Sequence, residues 1–452
     1  MSKTSTKPPS GTRDFLPVDI ARRRHVVSVV ESVYAAYGFQ PLETPAMENL
    51  SVLLGKYGDE GDQLLFRLLH RRDALARALA RDDVTEADLA DQGLRYALTV
   101  PLARVVAEYG QLPRFWKRYQ IQPVWRADRP GKGRYREFYQ CDVDAVGAPA
   151  GIAEAEILGA VCEILDRLGF AEYRLQVNHR EVLRGLVEAA GIPAARESDT
   201  LVALDKLDKI GREGVAREFT ERGIEPGPGE TLLGWLDADD PGEREARIRA
   251  VSPRVQAALE ELDSLRALVA GGPAASRWVF TPELARGLGY YTGPIFEITV
   301  PDLAGSLGGG GRYDGLIGMF GKREIPAVGF SLGLERILLV LEERGMYPEL
   351  QVGHDVMVCW SGVPAAEALA VARALRGSGL RVEVYPEDGK LGKQLQYADQ
   401  EGIKARCAAI VGETEADSGA VTLKDMERGE QQTVPLSEAG EAARRILRED
   451  SR

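Results

Sequence analysis

Cysteine and histidine are scarce, at 4 of each in 452 residues. The cysteines, Cys141, Cys162, Cys359 and Cys407, stand far apart, with no CxxC pair and no histidine cluster beside them. That spacing supports neither a disulfide framework nor a zinc site, and buried thiols are the expectation. No apolar run approaches the roughly 18 residues that a membrane span requires, and the start, MSKTSTKPPSGTRDF, lacks the apolar stretch of a signal peptide; a soluble, cytoplasmic chain without membrane contact is expected. Positive charge is in deficit: 57 Lys and Arg face 69 Asp and Glu, a formal net charge of -12. The deficit argues against a protein that coats nucleic acid, while leaving room for a local basic surface. A GxxxxGK[ST] loop is missing too, which removes the commonest route to ATP.

What remains is ordinary globular material, 44% hydrophobic and 28% charged, long enough for about two or three domains. After a turn-rich arm at 1–17, DIARRRHVVSVVESVYAAYGF spaces its apolar residues as an amphipathic helix does, ended by Gly38. QPLETPAMENLSVLLGKYG reads as a strand broken by Pro45 and then a helix, and the Arg/Asp-rich run His70–Asp91 as a solvated excursion. Two β-rich runs, RFWKRYQIQPVWRAD and EFYQCDVDAVG, flank RPGKGRY and predict a long hairpin with a basic loop. IAEAEILGAVCEILDRLGF predicts a helix and AEYRLQVNH a strand, after which the chain turns helical and charged from about Arg180 to Gly272. Strand character returns in RWVFTPELARGLGYYTGPIFEITV, SLGGGGRYDGLIGMFG reads as a glycine turn, and AVGFSLGLERILLVLEERG passes from strand to helix. Beyond Gly353, DVMVCW, RVEVY and ARCAAIV alternate with helical segments, the pattern of a separate small α/β domain.

Four segments carry chemistry-bearing residues. In the hairpin, Arg126 offers a rigid fork for phosphate oxygens and Phe138, on the paired strand, a ring for a base; a solvated charge-rich hairpin is the competing reading. LARGLGYYTG sets Arg286 before Tyr290 and Tyr291, which would point to opposite faces of a strand, one in the core and one outside, or else serve a ligand. GGGGRYDG is either a flexible turn, the commoner case, or a backbone that approaches a ligand closely. GFSLGLERI places small residues before Arg336, either a helix-end cation or a grip for a polyphosphate tail.

Together and in this order the segments resemble the class II aminoacyl-tRNA synthetases, and within them the histidyl-tRNA synthetase family. YGFQPLETPAMEN resembles motif 1, WRADRPGKGRYREF motif 2 and GFSLGLERI motif 3, while RGLGYYTG and GGGGRYDG resemble segments peculiar to the histidine enzymes. The class I signatures HIGH and KMSKS are absent. The resemblance runs from about Pro8 to Leu447 and implies an α+β catalytic domain, an antiparallel sheet with flanking helices, in two parts (1–179 and 273–348), a helical insertion (180–272), and an α/β anticodon-binding domain (353–452). It implies ATP-dependent ligation of histidine to tRNA(His) through a histidyl-adenylate, with Mg²⁺ on the phosphates and no metal held by the protein itself, in a homodimer braced by motif 1. Arg126 and Arg286 would hold the α-phosphate, Arg336 the γ-phosphate, and Phe138 would stack on adenine. For histidine, Asp144 and Tyr291 would meet the imidazole, Tyr290 and Tyr313 shape the pocket, Gln140 and Thr99 face the ammonium, and Arg286 reach the carboxylate end.

Two positions depart from the family pattern, Ala97 in LRYALTVP and Gly289 in RGLGYYTG, each where an acid is usual. For Ala97 three readings stand: an engineered or variant alanine in an otherwise normal enzyme, another carboxylate taking over, or a paralogue that no longer charges tRNA. The alternative function is a catalytically impaired, histidine-sensing regulatory subunit like the one that partners ATP phosphoribosyltransferase. That family usually erodes the ATP arginines and lacks the C-terminal domain, both of which are kept here.

Overall fold

The computed structural model describes residues 5–449 except 57, 238–239, 287–289, 322, 351 and 401. The chain divides into two compact units, one built on Arg23–Met346 with the residues up to Asp14, the other on Tyr347 onward with Phe15–Arg22. Strands of the first unit are β1 (Gln40–Pro41), β2 (Met47–Asn49), β3 (Arg67–Leu69), β4 (Ala90–Leu94), β5 (Trp116–Trp125), β6 (Glu137–Val146), β7 (Arg174–His179), β8 (Trp278–Phe280), β9 (Pro294–Thr299), β10 (Ser306–Arg312) and β11 (Ala327–Gly333). Eight of them form one sheet in the order β1-β5-β6-β11-β10-β9-β7-β8. Every interior pairing is antiparallel, and a parallel pair closes each edge.

The expected hairpin is the spine of this sheet, β5 and β6 pairing from Trp116↔Val146 to Trp125↔Glu137. Aromatic and β-branched side chains fit a pleated surface, and alternation sends Cys141 and Val143 into a fully buried layer while Phe138, Gln140, Asp142 and Asp144 take the other face. The helix Ile152–Arg167 packs its Ile157, Leu158, Val161, Ile164 and Leu165 into the core, each contributing roughly 1.5–3 kcal/mol. Its start is fixed by Glu154, which accepts the Gly151 N–H at 2.7 Å, and its end by Gly169, whose φ of 85° only glycine adopts cheaply. Between β7 and β8 every described element is helical, from Arg180–Ala189 to Pro253–Val269. Asp240 and Ser252 cap two of those helices, each followed at once by proline.

One expectation is corrected here. SLGGGG is not a turn but β10, paired on both sides within the sheet. A β-carbon at Gly308 or Gly310 would collide with the backbone of β11, and one at Gly311 would lie 2.8 Å from the Pro294 carbonyl and 2.9 Å from the Tyr291 ring. Absence of side chains, not flexibility, is what the position demands. The run 70–91 is mostly exposed, as expected of a solvated excursion; it holds the short helices Asp73–Leu79 and Glu86–Leu89 and leads into β4, the middle strand of a three-stranded sheet ordered β2-β4-β3. Its exposed charges pair among themselves, Arg81 with Asp83 and Asp88.

The second unit carries β12 (Val356–Trp360), β13 (Val382–Val384), β14 (Cys407–Val411), β15 (Ala420–Asp425) and β16 (Gln431–Pro435), in the order β13-β12-β14-β15-β16. The first three are the expected parallel set; β15 and β16 add an antiparallel hairpin. Buried Gln394 ties a helix to this sheet, accepting from the Trp360 N–H at 2.9 Å and donating to its carbonyl at 2.7 Å. All four cysteines are free and buried, and burial pushes Cys162, Cys359 and Cys407 up to about 12, so the thiols are inert. No described helix is long and apolar enough to cross a membrane.

Candidate functional site

The open face of the large sheet floors a cavity of about 890 Å³. Strand alternation delivers Phe138, Gln140, Asp142 and Asp144 from β6 to that floor, and register sets Ser331 of β11, Gly309 of β10 and Glu297 of β9 in one row with Asp142. Gly329 and Gly311 stand in the next row beside Asp144. A β-carbon at Gly329 would strike the Asp144 carboxylate, so this glycine too is dictated by a neighbour's chemistry.

One end of the cavity is basic. Arg126, just past β5, donates from Nε to the Tyr96 carbonyl at 3.1 Å, and its guanidinium lies 4.2 Å from the Tyr96 ring centre and 5.1 Å from that of Phe138. The rings fix the plane of the fork. Arg286 sits 2.8 Å from Glu297 and donates to Ser306 Oγ at 3.0 Å. Arg336, in the first turn of the helix Leu334–Glu343, donates to the Ser306 carbonyl at 2.5 Å. Burial, then Arg286, and also Arg134 and Arg126, push the Arg336 ionisation downward, the mark of mutually repelling cations gathered round one space. Such a cluster binds an oligoanion well, because the ligand relieves the repulsion.

The other end is acidic and aromatic. Asp144 pairs with buried Arg118 at 2.7 Å and accepts a short hydrogen bond from the Tyr313 hydroxyl. Burial raises the Asp144 carboxyl, with Arg118 and Tyr313 pulling it down. Tyr290 and Tyr291 do not divide between core and surface, since the backbone there is not a strand. Their rings lie 4.5 Å apart, Tyr290 donates to the Tyr291 hydroxyl at 3.3 Å, and both line the cavity. Thr99 opens the helix Thr99–Glu108 and lines the cavity with Ala97. Gln140 donates to Ser331 Oγ at 2.7 Å. The expected residues Thr99, Arg126, Phe138, Gln140, Asp144, Arg286, Tyr290, Tyr291, Tyr313 and Arg336 thus surround one space; Gly289 lies outside the described residues.

Sequence reading missed Asp142, Arg118, Glu297 and Ser306. Period-2 spacing from Gln140 and Asp144 was the available signal for Asp142, whereas Arg118 is joined to the site by the exact register of β5 on β6, and Glu297 and Ser306 by strands far along the chain. Burial pushes Asp142 up to about 7, Arg118 opposing and Asp144 reinforcing the shift. Among the described residues no group of three His, Cys, Asp or Glu side chains is placed to hold a metal ion. A ligand with a cation at one end and several negative charges at the other matches these two ends.

The family model for histidyl-tRNA synthetase matches residues 11–337, and that for an anticodon binding domain matches 355–446. A histidine--tRNA ligase from Christiangramia forsetii is 40% identical over 446 residues, 95% of this chain and 97% of the relative. One from Gloeobacter violaceus is 39% identical over 460 residues, with the same coverage. Among solved structures, histidyl-tRNA synthetase from a Nostoc species superposes with a TM-score of 0.77 at 28% identity, over 98% of this chain and 100% of that one. A Bacillus halodurans protein titled ATP phosphoribosyltransferase regulatory subunit/histidyl-tRNA synthetase shares the fold, with a TM-score of 0.72 at 21% identity over 91% and 99%. Matched along both of its units, the chain belongs to the histidyl-tRNA synthetase family.

Proposed function

We propose that this protein ligates histidine to tRNA(His) at the expense of ATP. The observation that carries the reading is the cavity with its two ends, arginines on one side and a buried carboxylate among tyrosines on the other, in a chain matched over its length by histidine--tRNA ligases. In the first step a carboxylate oxygen of histidine attacks the α-phosphorus of ATP, the bond to the β-phosphate breaks, and pyrophosphate leaves. In the second, a terminal ribose hydroxyl of the tRNA attacks the acyl carbon and AMP departs.

Arg126 and Arg286 flank the α-phosphate and supply fixed positive charge where negative charge develops, the largest kind of catalytic contribution. Neither loses its proton at working pH. Arg286 meets the phosphate from the place where Glu297 and Ser306 hold it, and Arg336 holds the γ-phosphate. Phe138 stacks on adenine. Asp144, oriented by Arg118 and Tyr313, accepts from a ring N–H of neutral imidazole while Tyr291 serves the other nitrogen; a site built for hydrogen bonds rejects ligands that cannot make them. Gln140 and Thr99 receive the ammonium. Mg²⁺ carried in with ATP would supply further neutralising charge on the phosphates, beside Arg126, Arg286 and Arg336.

The domains follow: a catalytic domain in two parts (1–179 and 273–348), an insertion (180–272), and an anticodon-binding domain (353–452). The protein works in the cytoplasm as a homodimer; in support of the dimer, β1, within the segment that resembles motif 1, is an edge strand of the large sheet. ATP–pyrophosphate exchange with histidine against the other amino acids tests the reading. Histidine binding without exchange would instead mark a histidine-sensing subunit.

A further inference from the structure

The acids around the cavity differ in one respect. Asp144 pairs with Arg118, Asp128 with Arg134, Glu297 with Arg286, Glu335 with Arg23 and Glu283 with Arg244. Asp142 makes no ion pair among the described residues, although it is 2% exposed and lines the cavity, and its Oδ1 is buried without a hydrogen-bond partner. Arg118 is near enough to act on it but is engaged by Asp144. Two residues away on the same strand face, Gln140 is 9% exposed and its Oε1 is likewise buried and unpartnered.

Two acceptor oxygens without a partner, one of them on a carboxylate also served by Ser331, aimed from one strand into a ligand cavity are costly for the protein alone and call for a donor that arrives with charge. A primary ammonium brings three N–H donors and a positive charge. Thr99 adds a hydroxyl on the cavity wall, while Ala97 beside it adds only a methyl group.

We infer that Asp142, together with Gln140, receives the α-ammonium of the amino acid, so that the charge Ala97 does not supply comes from β6. The inference rests on the reading of the cavity as a histidine site. Among the acids of the wall, Asp144 is already held by Arg118 and Tyr313 and serves as a fixed acceptor for the ring. Asp142 is the buried acid of that wall with no ion pair among the described residues.

Three ligands separate the roles: histidine; histidinol, which keeps the ammonium and lacks the carboxylate; and 3-(imidazol-4-yl)propionate, which lacks the ammonium. Asp142→Asn, checked for folding by its melting curve, should weaken histidine and histidinol by roughly 10- to 100-fold in calorimetric Kd. It should leave the des-amino ligand within about twofold. Adding Ala97→Asp to Asp142→Asn should recover most of the loss, whereas Ala97→Asp alone should gain less than about threefold, because the ammonium already has its carboxylate. An unchanged histidine Kd in Asp142→Asn, or an equal loss for all three ligands, would overturn the inference. Should Asp142→Asn not fold, Ala97→Asp alone decides: a gain of tenfold or more would show an unsatisfied ammonium and sink it. If the parent chain binds none of the three, the histidine reading itself fails; if it binds histidine and Asp142→Asn matches it, only the role of Asp142 fails.

Discussion

Adjacent glycines in β10 should fail in different ways when given one methyl group. At Gly309 a β-carbon would collide with Nη1 of Arg286 and lie 3.2 Å from the Phe296 carbonyl. The first neighbour is the far end of a long side chain, which can move, and the second needs to yield only a few tenths of an ångström. At Gly310 the β-carbon would collide with the Gly329 carbonyl and lie 2.7 Å from Phe330 Cα, both parts of β11 backbone that cannot yield without breaking the ladder. Gly309→Ala should therefore fold with a loss of about 1 kcal/mol, at the low end of overpacking, while Gly310→Ala should lose about 3 kcal/mol or more. Activity should rank the other way among folded molecules. Displacing the Arg286 guanidinium by about 1 Å from Ser306 and Glu297 misplaces charge meant for the α-phosphate, at a cost of about 10²-fold in kcat of pyrophosphate exchange. Melting curves and exchange assays on both variants check this. A Gly309→Ala protein with full kcat, or one that melts as low as Gly310→Ala, would refute the argument that the glycines are set by these two neighbours.

Arg286→His should lower kcat of histidine activation by roughly two to three powers of ten with little change in histidine Kd, since its proposed partner is charge that develops on phosphorus; a raised KM for ATP at constant kcat would make it a ground-state clamp. The pH dependence of histidine binding should carry Asp142. Its carboxyl is pushed up to about 7 by burial, and is faced by Arg118 on β5, Asp144 on β6, Ser331 on β11, Arg126 and Tyr290. Binding an ammonium requires the ionised form, so affinity should fall as pH drops below about 7, by up to tenfold per unit, and level off above it. Asp142→Asn should keep only the dependence due to the ligand's imidazole, and identical profiles would count against the assignment. Truncation before Gly353 should abolish tRNA charging and leave histidine-dependent exchange largely intact; loss of both in a folded product would contradict the division of labour.

Legibility in the sequence followed the range of the forces involved. The β5–β6 hairpin, the helix Ile152–Arg167 and the strand–helix alternation beyond Gly353 were readable because their period and turn residues are local. The glycine strand was not, because glycine has poor strand propensity and its reasons lie elsewhere in the chain: Arg286, Tyr291, Pro294 and the backbone of β11. Tyr290 and Tyr291 were set on opposite faces by an alternation that holds only in a strand, and the chain there is irregular. Ten expected site residues do share the cavity wall, and the charged support behind them was invisible. Arg118 reaches Asp144 through the register of β5 on β6, and Glu297 reaches Arg286 through β9. Asp142 was within reach of simple alternation, but its significance comes from a buried oxygen left without a hydrogen-bond partner, which only the packed neighbours reveal.

The central claim, that the arginine end and the acidic end act on one substrate pair, is tested most directly by ATP–pyrophosphate exchange on the full chain with each amino acid in turn. Exchange that depends on histidine and on ATP, and falls with Arg126→Ala, is the predicted result. Histidine that binds but supports no exchange, in protein whose arginines are intact, would contradict it.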